Sequence, residues 1–253
     1  MRFASLGSGS RGNATLIESG TTRLLLDCGF TARELEQRLA MLGIAAESLH
    51  GILVTHEHQD HIRGVGVLAR RFRLPVWLTH GTLRSQRLGE IPDVRIIHGH
   101  QVAITIGGVR LTAYPVPHDA HEPVQFVFET AQARVGVLTD AGTITPHIVE
   151  MLSNCSALLL ECNHDREMLV QGPYPIALQR RIAGSLGHLS NHQAACFLEQ
   201  VYHAGLKRLV VAHISEQNNS PELACKALIT AVPGIAGRLT LTCQDRVSEW
   251  FEG

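Results

Sequence analysis

The chain has 253 residues, 45% of them hydrophobic and 18% charged, which excludes a disordered polymer and leaves room for one large α/β domain or two small ones. A net charge of −1 with histidine neutral excludes a global positive field for nucleic acid. A local patch stays open: Arg70, Arg71, Arg73, Arg84 and Arg87 are candidates, although such arginines are more often an ordinary solvated face.

From the N-terminus, MRFASLGSGS has one basic residue and no apolar stretch, so no signal peptide is expected. Residues 3–6, 15–18 and 23–26 read as strands joined by Gly/Ser/Asn turns. Thr31-x-x-Glu34 has capping-box spacing, and Leu35, Leu39 and Leu42 continue it as a helix. A strand at 51–55 precedes a helix near 65–72. Strands follow at 75–79, 94–98, 102–106 and 110–116, then a hairpin of 124–130 with 134–139. Thr145-Pro146 opens a helix with proline at its first position, and 157–162 is a buried strand. The stretch 163–175 reads as the longest loop. Ser190-x-x-Gln193 is a second capping box, opening a helix to about 204. A strand at 209–212, a helix from Ser220, and closing strands at 239–242 and 247–250 complete the chain.

No long linker interrupts this order, so a single domain spanning 1–253 is expected. Hairpins come early, and later strands alternate with helices. That predicts an α/β (α+β) chain with two mixed β-sheets packed face to face and helices outside. No run approaches about 18 consecutive apolar residues. The cysteines at 28, 155, 162, 196, 225 and 243 form no CxxC pair. A cytoplasmic protein with reduced thiols and no membrane span is expected.

Fifteen histidines are the compositional outlier. Four chemistry-bearing residues stand together in LVTHEHQDHIRGVG: His56, His58, Asp60 and His61. Two histidines two apart in extended chain project to one side and can reach one ion. The Asp-His pair lies where chain turns into helix and can address a second ion. Imidazole and carboxylate together suit Zn²⁺, Mn²⁺ or Fe²⁺.

This H-x-H-x-D-H motif resembles the signature of the metallo-β-lactamase fold superfamily, and the resemblance runs along nearly the whole chain. It implies a four-layer αββα sandwich with the metal site at one edge of the sheets. His118 in YPVPHDAHEP, Asp140 in VGVLTDAG and His213 in LVVAHISEQNN stand at matching strand ends. The resemblance implies one ion on His56, His58 and His118, a second on Asp60, His61 and His213, and Asp140 shared by both. Asp27, after LLL, resembles the acid that supports the ligands, although Asp also favours such turns for its own sake. Two divalent ions can lower the pKa of a shared water and clamp an in-line displacement.

Many reactions use such a site. The diiron flavoproteins of the superfamily carry Glu where this chain has His58, which argues against redox chemistry. The tract GHLSNHQAACFLEQVYHAGLKRLVVAHISEQNN resembles the phosphodiesterase branch, whose tract histidine is the catalytic acid; His188 takes that place. His192 falls in the first turn of the following helix and reads as a helix residue only. The interval from His118 to Asp140, 22 residues, is too short for the RNA-binding arm of the transfer-RNA 3′-processing ribonucleases. The 73 residues from Asp140 to His213 are too few for the extra domain of the β-CASP nucleases.

GSGSRGNATLIE, LLLDCGFT, ECNHD, GHLSN and HISEQNN together resemble the YycJ/WalJ-type bacterial proteins, a group similar to PhnP-type cyclic phosphodiesterases. His192 and Gln125 depart from the pattern and leave substrate size open. The resemblance implies 5′→3′ exonuclease action on DNA, with DNA ahead of RNA. His188 would be general acid, and Asp60 both ligand and catalytic group. Asn163, His164, Asn191 and Asn218 are candidate substrate contacts. The rivals are a small cyclic-phosphate phosphodiesterase, a lactonase or thioesterase, and a non-catalytic metal-binding carrier. Zn²⁺ against Mn²⁺ and the oligomeric state stay open.

Overall fold

The computed structural model describes residues 1–100 and 103–253. Six strands open the first sheet: β1 (Arg2–Gly7), β2 (Ala14–Ser19), β3 (Thr22–Leu26), β4 (Gly51–Leu53), β5 (Val76–Leu78) and β6 (Val94–Ile96). The second sheet holds β7 (Ile104–Ile106), β8 (Val109–Pro115), β9 (Val124–Glu129), β10 (Arg134–Leu138), β11 (Ala157–Glu161), β12 (Arg208–Ala212) and β13 (Leu239–Leu241). The last strand, β14 (Phe251–Glu252), returns to the first sheet beside β1.

Both sheets are mixed and have seven strands, ordered β14-β1-β2-β3-β4-β5-β6 and β13-β12-β11-β10-β9-β8-β7. Each begins with antiparallel neighbours and changes to parallel ones, at β3–β4 and at β10–β11. Parallel neighbours need crossover segments, and the helices supply them. In the first half these are α1 (Ala32–Met41), α2 (Gln59–Ile62), α3 (Val65–Phe72) and α4 (His80–Arg84). In the second they are α5 (Pro146–Leu152), α6 (Arg166–Gln171), α7 (Ile176–Ile182), α8 (Asn191–Val201) and α9 (Pro221–Ala231).

Three hydrophobic clusters separate four layers, as the αββα expectation requires. One lies between the sheets and joins Phe3, Leu24 and Phe251 to Phe126, Phe128 and Val210. A second packs the first sheet on α1 and α3 through Leu25, Leu35, Leu39 and Leu68. The third packs the second sheet on α5, α8 and α9 through Leu158, Leu160, Phe197 and Leu228. The period of two explains the unbroken apolar strands. Leu24 and Leu26 face the other sheet while Leu25 faces the helices. On β11, Leu159 faces the other sheet while Leu158 and Leu160 face the helices.

Local readings differ from the structure in a few places. The stretch 163–175 contains α6, capped by Asp165, whose side chain accepts from the backbone N–H of Glu167 and Met168. The closing strand is β14, two residues long, instead of 247–250: Phe251 is the residue that packs on Phe3, and Arg2 covers Trp250. The strand expected at 102–106 starts partly outside the described residues and is seen as β7. Thr31 caps α1, but Glu34 pairs with Arg38 instead of closing the box. The Ser190–Gln193 box is complete. No helix among the described residues is long and apolar enough to cross a membrane.

Candidate metal centre

The carboxyl ends of β3, β4, β10, β11 and β12 carry the site residues Asp27, His56, Asp140, Glu161 and His213. Asp27, Asp140 and His213 have φ of 59°, 52° and 53°. That left-handed region is uncommon for non-glycine residues, with Asp and His among the more tolerant. It costs about 1–3 kcal/mol each and recurs at functional sites. The chain turns sharply there, at the end of each strand, and the side chains converge. Gly29 lets the motif loop close: a Cβ there would lie 1.7 Å from the carbonyl oxygen of Asp60.

The first donor cluster is His56, His58 and His118. His58 Nδ1 lies 3.0 Å from His56 Nε2 and 3.2 Å from His118 Nε2. These are two edges of a small triangle of imidazole nitrogens. Two of the outer nitrogens are held from behind: Thr55 Oγ1 lies 2.9 Å from His56 Nδ1, and the Gly187 carbonyl accepts from His118 Nδ1 at 3.0 Å. Burial lowers the pKa of His56 and His118, and neighbouring imidazoles lower it further. The neutral imidazole so favoured is the metal-binding form.

The second cluster is Asp60, His61, Asp140 and His213. His61 Nε2 lies 3.2 Å from Asp140 Oδ2 and 3.4 Å from Asp60 Oδ2, and His213 Nε2 lies 3.7 Å from Asp60 Oδ2. Asp140 Oδ2 and His213 Nε2 are buried and have no hydrogen-bond partner. Buried polar atoms are rarely left so, and a cation between them is the fit this donor set has. Burial raises Asp140, yet the His213 and His61 imidazoles outweigh it and hold it well below the carboxylate range. Asp27 stands behind His61, Oδ2 to Nδ1 2.8 Å, and also takes the Thr55 N–H and hydroxyl. The residues fit divalent metal ions, one for each cluster.

His188 lies between the clusters, its ring centroid 5.2 Å from those of His118 and His213. Its Nδ1 lies 2.8 Å from Glu161 Oε1, and the residue lines the cleft. Burial lowers His188, but Glu161 and then Asp140 more than offset it, so its pKa stands above the ordinary value. Asp140, Glu161, His188 and His213 are also close enough to share an ion. Glu161 is otherwise committed. Its Oε1 also faces His213 Nδ1 at 3.0 Å, and its Oε2 accepts from the N–H of Leu189 and Ala141 at 3.0 and 3.2 Å. Four donors fill the acceptor capacity of a carboxylate. Burial raises Glu161, and His188 pulls it back down to about 2.

Two residues here escaped the sequence reading. Glu161 could have been suspected, because LLLE repeats the pattern LLLD, and an ionisable group ending a fully buried strand needs a partner. Asn13 gave no such signal. Its Nδ2 lies 3.2 Å from Asp60 Oδ2 and 3.1 Å from His61 Nε2, while Ser8 of the same loop accepts from the His213 N–H at 2.8 Å.

The four expected substrate contacts lie elsewhere. The cleft is about 350 Å³ and is lined by Ser10, Gln59, Asp119, Tyr174, Leu178, Arg181 and Ile182 besides site residues. Asn163 donates to the His213 carbonyl, and Asn191 exchanges hydrogen bonds with Asn219. Asn218 turns to Ser215, with its Oδ1 buried and unpartnered. His164 is buried, and burial takes its pKa down to about 4. Asn163 and Asn191 tie the loops behind the site together, because polar groups at strand ends also need partners, while the buried Nδ1 of His164 has no partner. His121 pairs with the buried Glu57 at the rim, and His192 sits on α8 beside Cys196.

Comparison with known proteins agrees with this geometry. The family model described as the beta-lactamase superfamily domain matches residues 22–214. The exodeoxyribonuclease YycJ of Bacillus anthracis is 35% identical over 227 residues, covering 88% of this chain and 86% of that protein. The exodeoxyribonuclease WalJ of Streptococcus pneumoniae is 33% identical over 233 residues, covering 90% and 87%. Among solved structures, the metallo-beta-lactamase fold protein YhfI of Bacillus subtilis aligns with a TM-score of 0.76 at 18% identity, covering 100% of this chain and 99% of the other. A diphosphatase of the PhnP family aligns at 0.68 and 18%, covering 99% and 98%. Two mixed sheets with helices outside, a histidine-aspartate nest at their edge and relatives matched over most of their length lead to one conclusion: the chain belongs to the metallo-β-lactamase fold superfamily.

Proposed function

We propose that this chain is a metal-dependent phosphodiesterase, an exodeoxyribonuclease that removes nucleotides from the 5′ end of DNA. The observation that carries the reading is His188: a cleft-lining imidazole outside both metal clusters, with Nδ1 held by Glu161. The two relatives called exodeoxyribonucleases, at 33 and 35% identity, support the same substrate.

His56, His58 and His118 would hold one ion, Asp60, His61 and His213 the other, and Asp140 would serve both. Zn²⁺ or Mn²⁺ suits these donors. Such ions supply Lewis-acid stabilisation of the phosphate and a nucleophile from water at neutral pH. Asp60 and Asp140 concentrate negative charge where cations are needed. Asp27 and Glu161 fix the ring orientation of His61 and His213. Because Nδ1 of His188 faces Glu161, its Nε2 is left to donate. Water adds to phosphorus, the P–O3′ bond breaks, and His188 gives its proton to O3′. Gly187 holds His118 through its carbonyl, so the segment that carries the acid also orients one histidine of the first cluster.

The test is a time course on 5′- and 3′-labelled single- and double-stranded DNA and RNA, with Mn²⁺ or Zn²⁺ added. Release of mononucleotides from the 5′ end of DNA is expected. Cleavage of bis(p-nitrophenyl) phosphate with none of any polynucleotide would move the substrate to small phosphodiesters. Turnover of an acyl thioester alone would overturn the reaction class.

A further inference from the structure

The cleft has two unlike walls. One is the nest of imidazoles and carboxylates. The other is α7 and the turn before it. Leu178 and Ile182 of α7 line the cleft four residues apart, the spacing that puts helical side chains on one face, and Tyr174 from the turn before the helix lines it beside them. A surface helix ordinarily turns its apolar stripe to the core. Here no residue of α7 is buried, and Ile176 is 65% exposed on another side. The stripe faces the cleft instead. The helix is held by polar contacts at its ends: Gln179 donates to the Tyr174 carbonyl at 3.0 Å, and the His188 N–H donates to Ile182 at 2.9 Å.

Arg181 shares this wall. Its Nε donates to Asp119 Oδ2 at 2.5 Å, and Asp119 Oδ1 lies 3.5 Å from His118 Nε2. One carboxylate thus separates the guanidinium from a ligand histidine. Among the described residues only Asp119 engages Arg181, and the side chain is 60% exposed. Both terminal nitrogens are therefore free for a bidentate partner, the geometry arginine offers to phosphate. The volume of about 350 Å³ is near the lower end for ligand sites and suits one nucleotide better than a base pair.

We propose that the α7 wall is a subsite for the 5′-terminal nucleotide of a single strand: Tyr174 and Leu178 take its base, and Arg181 takes its 5′-phosphate. This rests on the phosphodiesterase reading and names the end it acts on. Bases stack on aromatic side chains without regard to sequence. Cleavage at P–O3′ leaves a 5′-phosphate on the shortened strand, so each turnover regenerates the recognised end.

The experiment uses one single-stranded DNA oligonucleotide with a 5′-phosphate or a 5′-hydroxyl, and bis(p-nitrophenyl) phosphate as a substrate lacking both base and terminal phosphate. Wild type is expected to favour the 5′-phosphate by about tenfold in kcat/KM, a single charge-assisted contact. Arg181→Ala should abolish that preference, and Arg181→Lys should keep part of it. Tyr174→Ala should raise KM for the oligonucleotide about fivefold or more relative to its own change on the small ester, and Tyr174→Phe should stay near wild type. Anisotropy of the labelled oligonucleotides on metal-free protein should show the same ranking in affinity. Equal use of both 5′ ends by wild type, or an unchanged preference in Arg181→Ala, would overturn the subsite. Cleavage of the small ester without any oligonucleotide cleavage would instead refute the nucleic-acid reading.

Discussion

The two sheets end alike and serve the site differently. On β3, three leucines run into Asp27; on β11, three leucines run into Glu161. Both carboxylates are buried, and each faces the Nδ1 of one histidine of the second cluster, His61 or His213. Asp27 gives its remaining capacity to Thr55, within the motif loop. Glu161 gives its own to His188 and to the backbone at Leu189 and Ala141. In the proposed scheme the first carboxylate therefore orders ligands alone, and the second couples a ligand to the proton donor. A carboxylate at a strand end has no role until its partners are known.

Removing the aspartate that would serve both ions is the largest perturbation expected. Asp140→Ala is expected to lower turnover of bis(p-nitrophenyl) phosphate by on the order of a thousandfold, with fewer than two metal equivalents by elemental analysis. Near-normal turnover with both metals retained would end the two-cluster scheme. Next, His188→Ala should keep both metals and lose about 10²–10⁴-fold in kcat. If the purified variant lost one metal equivalent, His188 would be a ligand.

The contrast between the two carboxylates is tested by metal titration of activity. Asp27→Ala should weaken apparent metal affinity about 10–100-fold, with much of kcat recovered at saturating metal. Glu161→Gln should leave kcat low even at saturation. Identical behaviour of the two would erase the distinction drawn here. The smallest effect is expected at Glu18, a carboxylate of the first sheet that binds Arg2 and Arg23 and does not line the cleft. Burial raises it, but hydrogen bonds from Arg23 and Arg2 prevail, so its folded pKa lies below the ordinary 4.5. Its contribution is present above that value and is lost as pH falls through it to the lower folded pKa. Glu18→Gln should cost under about 1 kcal/mol at neutral pH and flatten that acid limb in denaturant melts. A change in metal content would show that the residue is linked to the site after all.

Legibility in the sequence followed spacing. His56, His58, Asp60 and His61 are contiguous, and their pattern alone marks a metal site. His118, Asp140 and His213 are single residues at strand ends, picked out only through family resemblance. Glu161 and Asn13 were missed because each acts across 27 or more positions, Glu161 on His188 and Asn13 on Asp60. Asn163, His164, Asn191 and Asn218 show the same limit: polar residues after a strand serve either the ligand or the loop, and in the structure Asn163 and Asn191 bond to loop groups.

By itself the sequence pointed to two mixed sheets with helices outside, because early hairpins give way to strands alternating with helices; the four-layer order came with the resemblance of its motifs. It also determined the first four site residues, because local chain geometry aims them together. Tertiary structure alone decided that β3, β4, β10, β11 and β12 end at one edge. It also decided that Glu161 joins His188 to His213 and that α7 turns its apolar stripe to the cleft. These are through-space relations between distant strands, set by packing of two sheets, and no local pattern encodes them.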